Sequence, residues 1–385
     1  MRLSPPGALA LLSGLAFMAA CAATMKVGAP IEGLERDQRD QFDRGRKGFE
    51  RVFTPRTGLG PLFNETSCAG CHEDPVSGGS GEESELHVAA YSRGGVCDPL
   101  IEKGGPVIQQ KVTPELKAAL GIDSEPVPAG ATARGTRTSP ALFGLGLLDA
   151  VPDEEILALA DPDDADGDGI SGRPNRNYDG RLGRFGRKAL VPTLDEFIAG
   201  AYVAEQGITN PSVPDEETIG GKPVPEGVDL VPDPEIDRKA LEETIDFVRF
   251  LAPPPPQELT GAAKRGRKIF SQIRCDRCHV PVLKTGDHAV EGLRDREVAA
   301  YTDLLLHDMG PEMSDVCLGL ASPSEFRTQP LMGLRLSHRF LHDGRAKTIE
   351  EAVRMHGGEA SAARDRFNAL PPDDRNGLLE FLKSL

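Results

Sequence analysis

The sequence contains no tryptophan and only four tyrosines, and aromatic residues make up 5% of its 385 residues. This composition excludes a core built mainly on aromatic side chains, although 39% hydrophobic residues are enough for about two globular domains. Long apolar runs are also scarce, because the run from Ala8 to Ala20 is too short, and too close to the N-terminus, to indicate a membrane span. The frequent prolines and glycines, 32 and 43 in number, favour short helices joined by long loops. A formal net charge of −16 argues against a nucleic-acid partner and favours cationic partners or a bound divalent cation.

Four of the seven cysteines lie in two CxxCH motifs, at Cys68–His72 and Cys275–His279. This motif is the signature of covalent c-type haem attachment, in which two thiols bond to the porphyrin and the histidine ligates the iron. Zinc or redox-dithiol chemistry is the alternative, but no second CxxC or histidine pair accompanies either motif at zinc-site spacing. The sequence therefore predicts two covalently bound haems, with thioether bonds from Cys68, Cys71, Cys275 and Cys278 and proximal ligands from His72 and His279.

The first twenty residues are typical of an export signal, with Arg2 followed by an apolar run that ends in small residues. The segment Met18–Cys21 resembles a bacterial lipobox, which predicts a lipoprotein signal peptide over residues 1–20 and lipidation of Cys21. Ordinary secretion is the alternative, since Met18 departs from the usual leucine. Ala22 follows, so no aspartate signals retention in the inner membrane. We therefore expect a periplasm-facing outer-membrane lipoprotein, with contact to the membrane only through its lipid anchor.

A short motif occurs twice, as Arg-Gly-Arg-Lys-Gly-Phe at 44–49 and Arg-Gly-Arg-Lys-Ile-Phe at 265–270, each time before a CxxCH. Each copy is followed later by an amphipathic helix, expected at Pro234–Leu251 and at Pro372–Leu385. An early helix, a CxxCH and a late crossing helix are the layout of a class I cytochrome c domain. The sequence therefore predicts a mainly α fold with two cytochrome c-like domains, at residues 21–256 and 257–385, and long loops inserted in the first.

An acidic loop in the insertion has the spacing of a calcium site. Counting from Asp164, acidic residues occupy positions 1, 3 and 5, and Gly169 occupies position 6, as in an EF-hand loop. A solvated acidic turn is the alternative, because helices flanking the loop are not evident. The predicted calcium ligands are Asp164, Asp166, Asp168 and Ile170.

Five segments occur in the order found in one known family: 63–72, 144–152, 166–172, 301–310 and 341–346. Together they resemble the bacterial di-haem oxidoreductases often labelled thiol-oxidoreductase-like, within the di-haem cytochrome c peroxidase superfamily. The resemblance covers nearly the whole chain from Arg36 onward. It implies an N-terminal haem that reacts with peroxide, a C-terminal haem that relays electrons, and calcium between them.

The same resemblance implies particular residues. In the superfamily the sixth ligand of the relay haem lies fourteen positions after the histidine of a His-Asp-Gly motif, here His342, which gives His356; a helix-capping role for His356 is the alternative. The matching acid–base group is Glu205, which could instead be a surface glutamate. Two positions depart from the family: Phe197 replaces a pocket glutamine, and Arg187 replaces a tryptophan between the haems. Arg187 could instead pair with a haem propionate.

Three further residues receive expectations from the sequence alone. Cys97 and Cys317 are the only spare pair of cysteines in an oxidising compartment, so a disulfide between them is one reading and two free thiols are the other. His87 is expected at the surface, with a removable sixth ligand of the first haem as the alternative.

The resemblance implies an oxidoreductase of the cytochrome c peroxidase type. Its expected partners are hydrogen peroxide or a periplasmic protein substrate, and a small electron-donor protein. An envelope electron-transfer cytochrome without peroxidase activity is the main alternative, and the absent tryptophan favours it. A haem-based sensor or assembly factor in metal uptake is a third possibility.

Overall fold

The computed structural model describes residues 26–92 and 94–385, so residues 1–20 and Cys21 lie outside the described part. Helices α1 to α11 are Arg36–Phe49, Cys68–Cys71, Pro114–Leu120, Leu145–Asp149, Asp153–Leu157, Leu194–Gln206, Arg238–Phe250, Gly261–Gln272, Ile349–Met355, Ser361–Ala369 and Pro372–Leu382. Strands β1 to β10 are Leu62–Phe63, Ser84–Tyr91, Cys97–Asp98, Val107–Ile108, Lys111–Val112, Ala133–Thr138, Leu283–Lys284, Glu297–Val298, Leu306–Asp308 and Glu325–Arg327. Within the described ranges, no helix is long and apolar enough to cross a membrane.

Helices α1 and α7 pack against each other in the N-terminal half. Helix α1 begins at a capping box, in which the amide of Glu35 donates to the Gln38 side chain. The two helices approach closely at Gly45, where a Cβ would overlap the carbonyl oxygen of Glu243. Their contact is filled by Phe247, whose ring centroid lies 5.1 Å from that of Phe42 and 4.9 Å from that of Phe49.

Helices α8 and α11 repeat this arrangement in the C-terminal half. Gly266 takes the place of Gly45, and a Cβ there would overlap the carbonyl oxygen of Gly377. Phe270 packs edge to face on Phe381 at 5.6 Å between centroids. The repeated sequence motif thus supplies, in each half, one glycine for the helix crossing and one phenylalanine for the core.

The insertion contains a sheet that the mainly helical expectation did not include. Strand β2 pairs antiparallel with β3, β4 and β6, so the strand order is β3-β2-β4 with β6 also on β2. A disulfide joins Cys97 on β3 to Cys317, across 220 residues of sequence. This cross-link ties the inserted sheet to the C-terminal half of the chain.

Candidate functional site

The first CxxCH forms the short helix α2 and presents its histidine to a small cavity. The hydroxyl of Ser67 accepts a hydrogen bond from the amide of Gly70 at 3.0 Å and caps the helix. His72 follows, with its Nδ1 atom 2.9 Å from the carbonyl oxygen of Pro140. Burial lowers the pKa of His72, so the ring is neutral, and the carbonyl fixes the proton on Nδ1. The Nε2 lone pair is therefore available to a metal.

Glu205, on α6, lies in the same cavity as His72. Its Oε2 atom accepts a hydrogen bond from the Asn64 side chain at 2.8 Å. Burial raises the pKa of Glu205 well above its usual value, and the nearby Glu85 raises it further. The site therefore favours the protonated form of the carboxyl group. The cavity has a volume of about 80 Å³, and its other lining residues include Phe49, Cys68, Cys71, Leu145, Phe197 and Tyr202.

His87 is buried, so the expectation of a surface histidine was wrong. Its Nε2 atom lies 3.0 Å from the Glu85 carboxylate, and its Nδ1 atom lies 3.5 Å from a guanidinium nitrogen of Arg137. Glu85 and Arg137 are paired across β2 and β6, and they satisfy the polar atoms that burial removes from water. His87 does not line the cavity around His72.

The second CxxCH opens on a much larger cavity of about 700 Å³, which also receives His356. The Nδ1 atom of His279 lies 2.9 Å from the carbonyl oxygen of Tyr301, and that of His356 lies 2.7 Å from the carbonyl oxygen of Ala352. Burial lowers the pKa of His279 to about 4 and also lowers that of His356. Both neutral rings thus have Nε2 free for a metal. His356 is also the C-cap residue of α9, so it both caps the helix and lines the cavity.

His307 lies beside the second CxxCH. Its two ring nitrogens each lie 2.8 Å from a carboxylate, Asp303 on one side and Glu359 on the other, and its Nδ1 atom is 3.6 Å from the Cys278 sulfur. Burial alone would lower the pKa of His307, but its hydrogen bonds to Asp303, Cys278 and Glu359 raise the pKa well above the usual value. The two carboxylates therefore favour the charged form of this ring beside the second CxxCH.

The four CxxCH thiols are neutral and unpaired in this structure. Burial raises the pKa of Cys68 to about 11 and that of Cys71 and Cys275 to about 12, and it also raises the pKa of Cys278. A redox dithiol needs a lowered thiol pKa, so this alternative is disfavoured. Among the described residues, the groups of three or more possible metal-binding side chains contain neither histidine nor cysteine, which also disfavours zinc.

The chemistry of both sites fits a covalently attached haem. Each presents two thiols, at least partly buried, and a neutral histidine whose remaining nitrogen is free. The cavity at the second site lies within the range of about 300–1,000 Å³ that is common for cofactor sites. The cavity at the first site, at about 80 Å³, is smaller than this range. The first site is therefore identified by its donor atoms and not by its volume.

The two residues that depart from the family pattern, Phe197 and Arg187, each line one of the two cavities. Phe197 lines the cavity around His72, with its ring centroid 6.2 Å from that of Phe185. Arg187 lines the larger cavity and donates to the Gln329 side chain at 3.0 Å and to the carbonyl oxygen of Thr138 at 2.9 Å.

The acidic loop is grouped differently from the predicted calcium set. Asp161, Asp164 and Asp166 offer carboxylate oxygens that lie within 4.8 Å of one another. The Asp168 carboxylate instead pairs with Arg274 and with Arg277, which flank Cys275. Ile170 lines the larger cavity. The loop therefore contacts the second CxxCH segment directly.

The sequence did not predict a second acidic group, because the members of this group are spread over twenty residues without a fixed spacing. Oxygens of Glu216, Asp229, Asp233 and Glu235 lie within 4.8 Å of one another. Burial raises the pKa of Glu216 to about 9, and the neighbouring carboxylates add to the rise.

Comparison with solved structures gives distant similarities over most of the chain. Hydrazine synthase from Kuenenia stuttgartiensis is 14% identical over 99% of this chain and 100% of its own, with a TM-score of 0.41. A MauG-like protein associated with microbial copper homeostasis is 17% identical over 92% of both chains, with a TM-score of 0.42. The diheme peroxidase BthA from Burkholderia thailandensis is 16% identical over 90% of this chain and 86% of its own, with a TM-score of 0.43.

No curated protein sequence matches the chain significantly. The profile of the family described as "Di-haem oxidoreductase, putative peroxidase" matches residues 129–385. The match includes the second CxxCH, His307, His356 and Glu205, and it begins after the first CxxCH. Because it spans well over half of the chain, this protein belongs to the di-haem oxidoreductase family.

Proposed function

We propose that the protein is a di-haem oxidoreductase of the peroxidase type, in which the two haems have different tasks. The haem held by Cys68, Cys71 and His72 reacts with peroxide, or drives oxidation of a partner protein. The haem held at the second CxxCH relays electrons to it. The observation that carries this proposal is the difference between the two sites.

The cavity around His72 is lined by one histidine and by Glu205, an acid whose pKa is raised by burial. Among the described residues lining it, neither a second histidine nor a methionine is found. The larger cavity has both His279 and His356, each with a free Nε2. A pair of imidazoles favours a six-coordinate iron that transfers electrons, whereas a single imidazole beside an acid favours reaction with a small molecule.

When bound, a haem iron with an open coordination position supplies a binding site and electrons for peroxide reduction. The proton chemistry falls to Glu205, because breaking the O–O bond requires a proton on the departing oxygen. The Glu205 carboxyl donates its proton to that oxygen, which leaves as water. The carboxylate that results accepts the proton of the other peroxide oxygen. Asn64 holds Oε2 of Glu205 in place throughout.

The two helix pairs support an extension of this proposal to the architecture. In each half the crossing helices carry a phenylalanine next to the CxxCH histidine, with centroid distances of 6.3 Å from Phe49 to His72 and 6.5 Å from Phe270 to His279. We infer two cytochrome c-like domains, with boundaries at residues 21–256 and 257–385.

A second candidate function is electron transfer without peroxidase activity. The absence of tryptophan favours it, since Arg187 replaces the aromatic residue that the family places between the haems. Phe197 in place of a pocket glutamine also removes one hydrogen-bonding group from the cavity around His72.

Rapid mixing with one equivalent of hydrogen peroxide separates the two functions. The visible spectrum of the ferric or half-reduced protein should change within the mixing experiment if the first haem reacts with peroxide. A spectrum that ignores peroxide in both oxidation states, with and without calcium, would leave an electron carrier as the better account.

Calcium is a further part of the proposal. Asp161, Asp164 and Asp166 form an oxygen-rich group of the kind that binds calcium, and the loop also meets Arg274 beside the second haem site. Isothermal titration should show calcium binding that Asp164→Asn weakens. Equal heats for the two proteins would favour a solvated acidic turn, and Asp373→Asn on helix α11 is the matched control.

We also propose a location in the cell envelope. The leader at 1–20 followed by Cys21 predicts a lipid anchor, and the disulfide between Cys97 and Cys317 suits an oxidising compartment. Cell fractionation should find the wild-type protein with membranes and a Cys21→Ser variant in the soluble fraction. A soluble wild-type protein would support ordinary secretion.

A further inference from the structure

Two arginines on the wall of the larger cavity share one neutral partner. Arg187 and Arg327 each donate to the side-chain oxygen of Gln329 at 3.0 Å. Their other hydrogen bonds go to main-chain carbonyl oxygens, that of Thr138 for Arg187 and that of Arg184 for Arg327. Arg327 is only 9% exposed, and its buried Nε atom has no hydrogen-bond partner.

Neither positive charge has a described carboxylate within ion-pair distance, although Glu85, Asp315 and Asp343 act on Arg187 from farther away. The neighbouring cations Arg137 and Lys188 both pair with Asp315, at 2.8 Å each, and so use the buried anion nearest to them. No salt bridge of the described residues includes Arg187 or Arg327. Burial lowers the pKa of Arg327 to about 9, and the adjacent Arg187 lowers it further.

A buried guanidinium group, that of Arg327, beside a second, half-buried one, that of Arg187, costs free energy unless an anion offsets the charge. The cavity that they line is also the one that receives Cys275, Cys278 and His279. A c-type porphyrin carries two propionate carboxylates, and the planar guanidinium group is well suited to bind a carboxylate through two hydrogen bonds.

We propose that Arg187 and Arg327 form the carboxylate-binding site for the propionates of the C-terminal haem, with Gln329 bridging the two guanidinium groups. This inference rests on the proposed attachment of a haem at the second CxxCH. It does not require that the protein reacts with peroxide.

The proposed contact has a consequence for electron transfer. Positive charge beside the propionates stabilises the reduced iron, which carries one positive charge fewer than the oxidised iron. Removing one guanidinium group should therefore make the C-terminal haem harder to reduce. A tenfold change in the reduction equilibrium corresponds to about 59 mV for a one-electron couple, and a downward shift of about this size is expected for each variant.

The test compares Arg187→Gln and Arg327→Gln with Arg184→Gln in the full haem-loaded protein. Arg184 is a buried arginine like Arg327, but it binds the carbonyl oxygens of Asp149 and Val151, pairs with Asp153 and does not line the cavity. Spectroelectrochemical titration gives the midpoint potential of each haem, the pyridine haemochrome assay gives the haem content, and resonance Raman spectra report on the propionate groups.

The expected result is a lower potential of the C-terminal haem in Arg187→Gln and Arg327→Gln, a shifted propionate band, and two haems per chain. Arg327→Lys should recover most of the potential but not the band, since lysine keeps the charge without the planar pair of donors. The proposal is overturned if the potential and the band stay unchanged in haem-loaded variants, if the shift is confined to the N-terminal haem, or if Arg184→Gln gives an equal shift.

A dissolved anion is the other source of negative charge for the two arginines. In that case the wild-type potential would depend on the concentration of acetate or chloride, and the propionate band would be the same in all variants. That pattern would also overturn the proposal. None of these measurements uses peroxide, so the proposed propionate contacts can be confirmed in a protein without peroxidase activity.

Discussion

Replacing Glu205 by glutamine is the most informative single change, because it removes a transferable proton and little else. The amide oxygen of glutamine can still accept the hydrogen bond that Asn64 donates to Oε2. The main-chain carbonyl of residue 205, which accepts from the amides of Asn64 and Glu65, is unaffected. Because the site already favours the neutral form of the carboxyl, a neutral amide should be accommodated without loss of stability.

The expected cost lies in the reaction with peroxide. A positioned acid–base group contributes roughly 10²–10⁴-fold to a rate, which is about 2.7–5.4 kcal/mol of barrier at 1.36 kcal/mol for each factor of ten. The upper part of this range is expected here, because the other two described carboxyl groups that line the cavity, those of Glu65 and Glu85, have lowered pKa values. Burial by itself raises the pKa of Glu85. The hydrogen bond to His87 and the charge of His87 lower that pKa by more, so the net shift is downward.

The assay is the second-order rate constant for hydrogen peroxide, measured by stopped flow over a range of pH. The wild-type rate should fall as the pH rises through the raised pKa of Glu205, since the acid loses its proton above that value. The Glu205→Gln rate should be low and nearly independent of pH. Haem content and the resting spectrum should match those of the wild type.

Glu125→Gln is the matched control for this experiment. Glu125 is also a buried glutamate, and burial raises its pKa to about 8, but it does not line the cavity around His72. Its rate should equal that of the wild type. An undiminished peroxide rate in Glu205→Gln, or an equal loss in Glu125→Gln, would refute the assigned role.

Three further predictions follow from the same contacts. Replacing His356 by alanine removes one of two imidazoles from the larger cavity, so the low-spin EPR signal of that haem should give way to a high-spin signal; an unchanged signal would mean that another residue ligates the iron. Replacing Cys97 and Cys317 by serine opens a cross-link spanning 220 residues, and denaturant titration should show about 2–5 kcal/mol less stability; equal stability would contradict a formed disulfide. For Glu125 the folded-state pKa of about 8 lies above the reference value of 4.5, so its stabilising contribution is complete below the unfolded pKa and is lost as the pH rises through about 8. Between pH 6 and pH 9 the wild type should lose up to about 3 kcal/mol more than Glu125→Gln, and parallel stability curves would count against this shift.

Local motifs made much of the site predictable from the sequence. A CxxCH fixes two thiols and a histidine by spacing alone. The repeated glycine and phenylalanine indicated the helix that precedes each CxxCH and crosses a later helix. These features depend on neighbours within a few residues, which a sequence displays directly. The domain boundaries, the ligand role of His356 and the role of Glu205 stay predictions.

Other features depend on residues that are distant in the sequence. The inserted sheet was missed because β3 and β4 have only two residues each and form through their partners on β2. His87 was expected at the surface, since no sequence signal shows that β6 brings Arg137 across from Glu85. Asp168 stays a predicted calcium ligand, and no sequence signal shows its pairing with Arg274, which is 106 residues away.

The central claim is that the two haem sites are ligated differently, and the EPR spectrum of the resting ferric protein tests it most directly. The account predicts one high-spin signal from the haem at His72 and one low-spin signal from the haem between His279 and His356, in equal amounts. Two low-spin signals in the ferric protein, with no high-spin signal after half-reduction and addition of calcium, would contradict it.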